Sequence, residues 1–348
     1  MINQIADATI NLWKSGRKTK TNSSSGWISG NAVCCPHNGE SADTRGRGGF
    51  IVNKDSAVSY SCFNCNFRAS YTPGRHLSYK FRKLLSWLGA DEGTVKRLVI
   101  DAIRIKDLVA PEQIVEAEED EPVNFKARPL PKEAQDFHAL NTFYTLNEDQ
   151  DVPQGYHDGI LYVAERQINL ERYPFYWTPE LQYNLHKRVI IPFTWQGQTI
   201  GYTARAVQED IKPKYFTQHE PNYVFNVDRQ RPSSRFVIVC EGPFDAMAID
   251  GVAILGNEVS EQQADIIDRL GRQVIVVPDT DRPGRKMVDA ALEYGWDVSF
   301  PIWQESCKDI NEAVMKFGKL FVLKSILAAV ETSRLKIEII KRRLYNSL

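Results

Sequence analysis

Three apolar runs in the last third of the chain each end in acidic residues, and this pattern constrains the fold more than any other. Residues 236–240 read Phe-Val-Ile-Val-Cys and end on Glu241-Gly242, with Pro243, Phe244 and Asp245 opening a helix. Residues 273–277 read Gln-Val-Ile-Val-Val and end on Pro278, Asp279, Thr280 and Asp281. Residues 297–303 lead into Lys308, Asp309, Ile310, Asn311 and Glu312. In an open parallel sheet the carboxyl ends of the strands share one edge, and ligands bind there. Carboxylates gathered at that edge repel one another without cations between them, so the arrangement reads as a Mg²⁺ site.

The chain has 348 residues, 43% of them hydrophobic, and a net charge of −1. That content predicts a globular chain of two or three domains. No stretch reads as a membrane span or a signal peptide, so no membrane partner and a cytoplasmic setting are expected. The near-zero net charge hides segregation. Residues 1–110 carry 16 Lys and Arg against 8 Asp and Glu, while residues 111–123 carry six acids and no base. Residues 124–231 sum to −1, residues 232–318 to −7 and residues 319–348 to +5. A basic first module beside an acidic core suits a protein that holds a polyanion and a cation together.

Four of the six cysteines fall in two clusters, Cys34-Cys35-Pro36-His37 and Cys62-Phe63-Asn64-Cys65. The C-x-x-C at Cys62 and Cys65 is a metal knuckle, and Cys34 with His37 gives a matching C-x-x-H. Cys35 is the alternative to Cys34. Two such pairs about 25 residues apart predict one tetrahedral structural Zn²⁺. Residues 49–52 and 57–60 between them read as paired strands, which makes a zinc ribbon. Arg45, Arg47, Lys54, Arg68 and Arg75 are mixed with Phe50, Tyr60, Phe63, Phe67 and Tyr71. Cations for phosphates beside rings for bases predict a single-strand binding surface, with part of the rings serving as core.

Ile5 to Trp13 reads as a short helix, and residues 14–25 as a flexible basic run. Residues 77–108 carry helical periodicity. The acidic segment 111–123, bracketed by Pro111 and Pro122, reads as a solvated linker. Residues 137–180 show no motif. Residues 189–193 and 199–205 form a hairpin about Gln196-Gly197. Apolar positions in 319–348 recur at near-helical spacing and end in Lys341, Arg342 and Arg343, which predicts an amphipathic helix with a basic tip.

The ordered trio of Glu-Gly, Asp-x-Asp and a later acidic cluster resembles the topoisomerase-primase (TOPRIM) domain. The succession Arg188, Ile190, Pro192, Gly201, Arg205, Pro213, Lys214 and Tyr215 resembles the half-core that precedes TOPRIM in bacterial-type DNA primases. With the zinc ribbon in front, the resemblance covers roughly residues 30–318, and the knuckle looks most like the separate primase subunit of large tailed phages. The implied fold is α+β and multidomain: a zinc-ribbon domain with helical extension (1–110), the acidic linker (111–123), a mixed α/β basic half-core (124–231), a Rossmann-like TOPRIM parallel sheet (232–318) and the basic helix (319–348).

The resemblance implies synthesis of RNA primers from ribonucleoside triphosphates on single-stranded DNA, with a replicative helicase as partner. It implies two catalytic Mg²⁺ ions, or Mn²⁺ in their place, held by Glu241, Asp279, Asp281 and Asp309, with Asp245 orienting Glu241 or a metal-bound water. Arg188, Arg205, Lys214 and Lys308 would contact template or triphosphate. Asn311 stands where many relatives carry Asp. A type IA topoisomerase would need a nucleophilic tyrosine in a large further domain, and a phosphatase with an Asp-x-Asp motif would not continue Arg282-Pro283-Gly284. A TOPRIM nuclease and a DNA-clamping recombination mediator remain as alternative readings.

Overall fold

A computed structural model describes residues 2–75, 77–108, 123–179, 185–231, 233–280, 284–303 and 307–345. The predicted linker 111–123 therefore lies almost wholly outside the described residues, as do Asp281 and Arg282. The chain forms two compact units, Met1–Val123 with Ala264–Arg272, and Asn124–Gln263 with Gln273–Leu348. No helix among the described residues is long and apolar enough to cross a membrane.

The first unit opens with α1 (Gln4–Lys14), followed by an antiparallel sheet in sequence order: β1 (Lys20–Thr21), β2 (Ile28–Gly30), β3 (Gly48–Val52), β4 (Val58–Cys62) and β5 (Arg68–Tyr71). Strand β4 buries Val58, Tyr60 and Cys62 and leaves the residues between half-exposed, the two-residue period of a one-sided sheet. Trp13 from α1 lies edge-on to Phe50 and Tyr60 at 5.3 and 5.9 Å and fills the centre of this core. The helical stretch after it is two helices, α2 (Tyr79–Trp87) and α3 (Glu92–Leu108). Ser78 caps α2 by accepting from Phe81 N–H at 3.3 Å, and Gly89 at φ +100° ends it, a conformation that carries no Cβ penalty in glycine.

The second unit begins with β6 (Gln135–Asp136), α4 (Phe137–Leu146), α5 (Gln154–Glu165) and β7 (Tyr176–Trp177). The predicted hairpin follows as β8 (Arg188–Trp195) and β9 (Gln198–Ala206), then β10 (Tyr215–Gln218). These strands make an antiparallel sheet of order β10-β9-β8-β7-β6.

Next come β11 (Phe236–Cys240), α6 (Pro243–Ile249), β12 (Val252–Ala253), α7 (Glu261–Asp268), β13 (Gln273–Val276), α8 (Gly284–Tyr294) and β14 (Asp297–Ser299). After these come α9 (Ile310–Phe317), α10 (Lys319–Ala328), β15 (Val330–Glu331) and α11 (Arg334–Tyr345). The sheet order is β12-β11-β13-β14-β15, with the first four strands parallel and β15 antiparallel at the edge. Val237, Ile238, Val239, Val274, Ile275 and Val276 are all buried, as strands covered on both faces require.

The C-terminal stretch departs from the expected single helix. It is two helices with an edge strand between them. Lys341 in the supposed basic tip is buried, donating to Asp289 at 2.7 Å and Glu338 at 2.9 Å. A buried ammonium needs paired acceptors, and α8 supplies one of them.

Candidate metal and phosphoryl-transfer site

The cysteine cluster forms in the first unit. Sγ atoms of Cys34, Cys35, Cys62 and Cys65 all lie within 4.8 Å of one another. Cys34 and Cys65 approach to 3.4 Å and Cys35 and Cys62 to 3.6 Å. A tetrahedral zinc with Zn–S of ~2.3 Å requires sulfurs roughly 3.8 Å apart, so the four fit such an ion. Asn64 donates its backbone N–H to Cys62 and its side-chain amide to Cys35, both at 3.4 Å, and Asn38 reaches Cys65 at 3.7 Å. Such donors orient and stabilise thiolates. Burial pushes the Cys34 and Cys35 thiols up, Cys35 to about 11. Three of the four sulfurs are buried, and a divalent cation would provide the charge that their thiolate forms need.

The expected ligand set changes here. His37 is not in the cluster: its ring stacks on Trp87 at 4.5 Å and 3°. Cys34 and Cys35 enter together rather than as alternatives. Residues Cys35–Asn38 form a 3₁₀ turn, in which side chains project about 120° apart. His37 is carried away from the sulfurs, and Cys35 takes the fourth place in the cluster. Of the rings expected to stack on bases, Phe50, Tyr60 and Tyr71 are core. Phe63 is 72% exposed, with Trp27 beside it at 5.8 Å, and Arg45, Lys54, Arg68 and Arg75 are exposed on the same unit.

In the second unit the acidic residues stand where the sheet topology delivers them. Glu241 follows β11, Asp279 follows β13, and Asp309 caps α9 by accepting from Glu312 N–H at 2.8 Å. Burial, then the charges of Asp245, Asp279, Glu241 and Asp309, push the Cys240 thiol far up. Asp245 is buried on α6, where Oδ1 accepts from Asn311 N–H at 2.9 Å. Burial, then the charges of Asp309 and Asp279, push its carboxyl up to about 8. A Cβ at Gly242 would lie 2.8 Å from Asp245 Oδ2, so glycine there makes room for the carboxylate. The donor set is all oxygen, which suits a hard cation. Among the described residues, the four cysteines are the one group of three or more metal-ligating side chains whose ligand atoms all lie within 4.8 Å of one another.

The cations divide. Arg205 is buried, with Nε donating to the Tyr162 hydroxyl at 2.7 Å and its guanidinium 4.6 Å over the Tyr215 ring. Lys214 is held below its ordinary range by desolvation, then by Arg205, Lys308 and Arg166, against the opposing charge of Asp309. A group of cations that crowd one another is an anion-binding arrangement. Lys308 is exposed beside Asp309. Lys286 is exposed and paired with Glu258 at 2.5 Å.

Arg188 is corrected. It is 1% exposed and donates to the carbonyls of Ala204, Pro213 and Lys214 at 3.1, 2.6 and 3.3 Å. It braces the segment bearing Lys214 instead of meeting a phosphate.

One residue of the site had no motif to mark it. Arg166, in the stretch without a motif, donates from Nη1 to Asn311 Oδ1 at 2.6 Å, and Asn311 Nδ2 returns a bond to the Arg166 carbonyl at 3.0 Å. Its guanidinium lies between the Tyr162 and Phe244 rings at 4.7 and 4.8 Å. Asn311 is therefore a buried bridge between Arg166 and Asp245, which explains an amide in place of a carboxylate: its N–H₂ is needed as a donor.

Residues 238–314 match the family model described as Toprim-like. The chain is 27% identical to the DNA primase of Aquifex aeolicus over 153 residues, 38% of this chain and 30% of that protein. It is 29% identical to the DNA primase of Clostridium acetobutylicum over 162 residues, 41% of this chain and 27% of that protein. It thus spans less than a third of the length of these curated relatives. Among solved structures, the zinc-binding and RNA polymerase domains of the Aquifex aeolicus primase align over 94% of this chain and 86% of theirs, at 17% identity and a TM-score of 0.42. The RNA polymerase domain of the Mycobacterium tuberculosis primase aligns over 56% of this chain and 83% of its own, at 17% identity and a TM-score of 0.45. The segment that carries Glu241, Asp245, Asp279 and Asp309 matches the Toprim-like family model, and the protein is similar in sequence to bacterial DNA primases.

Proposed function

We propose that this protein is a DNA primase, which joins ribonucleoside triphosphates into short RNA primers on single-stranded DNA. The observation that carries the reading is the meeting, within the second unit, of the Glu241, Asp245, Asp279 and Asp309 carboxylates with the cations Arg166, Arg205, Lys214 and Lys308. Phosphoryl transfer to a 3′-hydroxyl needs both a site for hard cations and anchors for a polyphosphate.

When bound, Mg²⁺ or Mn²⁺ would supply charge neutralisation and hydroxyl activation. Glu241, Asp279, Asp281 and Asp309 are the residues to hold two such ions. Asp245, buried and tied to Asn311, orients Glu241 or a water. Arg205 and Lys214 hold phosphate oxygens, Arg through a planar fork and Lys as a point charge. Lys308 adds a further phosphate contact. The four cysteines hold one structural Zn²⁺, and exposed Phe63 with Trp27 and the surrounding arginines meets the single-stranded template. A replicative helicase is the partner such an activity needs. The Cys-Phe-Asn-Cys knuckle and the order of motifs favour the separate primase subunit of large tailed phages as the nearest type, which works in the host cytoplasm.

The test is RNA synthesis on a single-stranded template with ribonucleotides and Mg²⁺ and no primer, with Glu241→Gln and Asp279→Ala as controls. Short labelled RNA from the native protein and none from either variant supports the reading. Cleavage of the DNA in place of synthesis would identify a nuclease, and strand binding alone would identify a non-enzymatic clamp.

A further inference from the structure

The C-terminal helix reaches the metal-site loop. Tyr345, the last residue of α11, donates its hydroxyl to the backbone carbonyl of Asp279 at 2.8 Å, across 66 residues of sequence. Tyr345 is 6% exposed. It lies on the buried face of α11 with Ile337 and Lys341, at spacings of four residues, so the three share one side of the helix. That side packs on α8, where Lys341 is pinned to Asp289 at 2.7 Å. Helix α8 begins at Gly284, where a Cβ would lie 2.0 Å from the same Asp279 carbonyl oxygen. The carbonyl is thus approached closely by the start of α8 and held by the Tyr345 hydroxyl.

This bond lies one peptide away from a side chain that matters. The Asp279 carbonyl belongs to the peptide plane between Asp279 and Thr280, and planarity makes that unit rotate as a whole. Holding its oxygen limits ψ of Asp279 and hence the direction from which the carboxylate is presented. Thr280 Oγ1 in turn approaches the Lys308 carbonyl at 3.5 Å, next to Asp309. The loop after β13 is therefore fastened to a helix that sequence reading treats as a separate tail.

We propose that Tyr345 is a positioning residue for Asp279: its hydroxyl sets the orientation of the loop that presents the Asp279 carboxylate to the divalent cation. The inference rests on the reading of Asp279 as a metal ligand. It assigns the C-terminal helix a part in metal-site geometry.

The test compares Tyr345→Phe, which keeps the ring and removes only the hydroxyl, with Ile337→Val, which loosens the same helix face without touching Asp279. Two quantities are measured in the full-length protein. The first, taken without divalent metal, is amide hydrogen exchange in the peptide spanning 277–285. The second is the Mg²⁺ concentration giving half-maximal RNA synthesis. One neutral hydrogen bond is worth about 5-fold in an equilibrium. Tyr345→Phe is therefore expected to speed exchange in 277–285 by about 5-fold and to raise the half-maximal Mg²⁺ concentration by a similar factor, with Ile337→Val moving neither. Unchanged exchange in Tyr345→Phe, an unchanged Mg²⁺ requirement, or equal shifts in Ile337→Val would each overturn the proposal. If the native protein makes no RNA, the functional reading fails while the exchange comparison still reports on the Tyr345 bond.

Discussion

The backbone N–H of Asn311 donates to Oδ1 of Asp245 at 2.9 Å, joining the first turn of α9 to the first turn of α6. Asp245 is buried and its carboxyl is pushed up to about 8 by that burial and by Asp309 and Asp279. It is the member of the group least able to stand as a bare anion, so its role depends on a neighbouring cation. Asp245→Asn is expected to weaken Mg²⁺ affinity about 10- to 100-fold, the scale for a residue that orients metal ligands. The metal-free variant should melt no lower than the native protein, because the amide oxygen still accepts from Asn311 N–H and, like the neutral acid, carries no desolvated charge. Mg²⁺ titration of RNA synthesis and a melting curve in chelator check the two halves.

Zinc content separates the two candidate ligand sets. Cys35→Ser should lose the metal and unfold the ribbon, since a sheet this small depends on its ion. His37→Ala should keep one zinc per chain and lose only the stacking on Trp87, about 1 kcal/mol. Elemental analysis of both purified variants decides it; zinc lost from His37→Ala and kept by Cys35→Ser would restore the C-x-x-H knuckle.

Arg188 and Lys214 should fail in different ways. Removing the buried guanidinium of Arg188 takes a donor from the carbonyls of Ala204, Pro213 and Lys214, of which Lys214 keeps the Ala206 N–H at 3.0 Å, so Arg188→Met should cost about 2 kcal/mol or more in stability. Lys214 is exposed, and Lys214→Met should leave the melting temperature within about 1 °C while raising the KM for ribonucleotides. Melting curves beside steady-state kinetics distinguish the brace from the anion contact.

The acid limb of stability should report Asp43. Despite burial, its carboxylate accepts backbone N–H groups from Ala32, Arg45 and Arg47 and the Arg47 side chain, which hold it at about 2, below the ordinary 3.8. A folded-state value that is depressed stabilises the protein above the unfolded value. That stability is lost as pH falls from about 3.8 through about 2. The shift corresponds to about 2 kcal/mol. Denaturant unfolding between pH 5 and 2 should show this loss, and Asp43→Asn should flatten it.

What the sequence determined by itself is the part of the molecule in which local chemistry and topology are tied together. Strands β11 and β13 had to read as unbroken apolar runs because both their faces are covered, and the polar residues that end them, Glu241 and Asp279, had to fall on one sheet edge because parallel strands point the same way. The two cysteine clusters were legible for a similar reason: a knuckle is a turn, and its spacing is its geometry. Only the tertiary structure decided which side chains of those turns converge. A 3₁₀ turn sends His37 to Trp87 and keeps Cys34 and Cys35 together. The same holds for Arg188, which sequence places among phosphate contacts and packing buries under three carbonyls. Arg166 and Tyr345 had no motif to announce them, since their partners, Asn311 and the Asp279 carbonyl, lie 145 and 66 residues away. A hydrogen bond to a backbone carbonyl accepts any donor of suitable reach, and it leaves no residue pattern to read until the chain has folded.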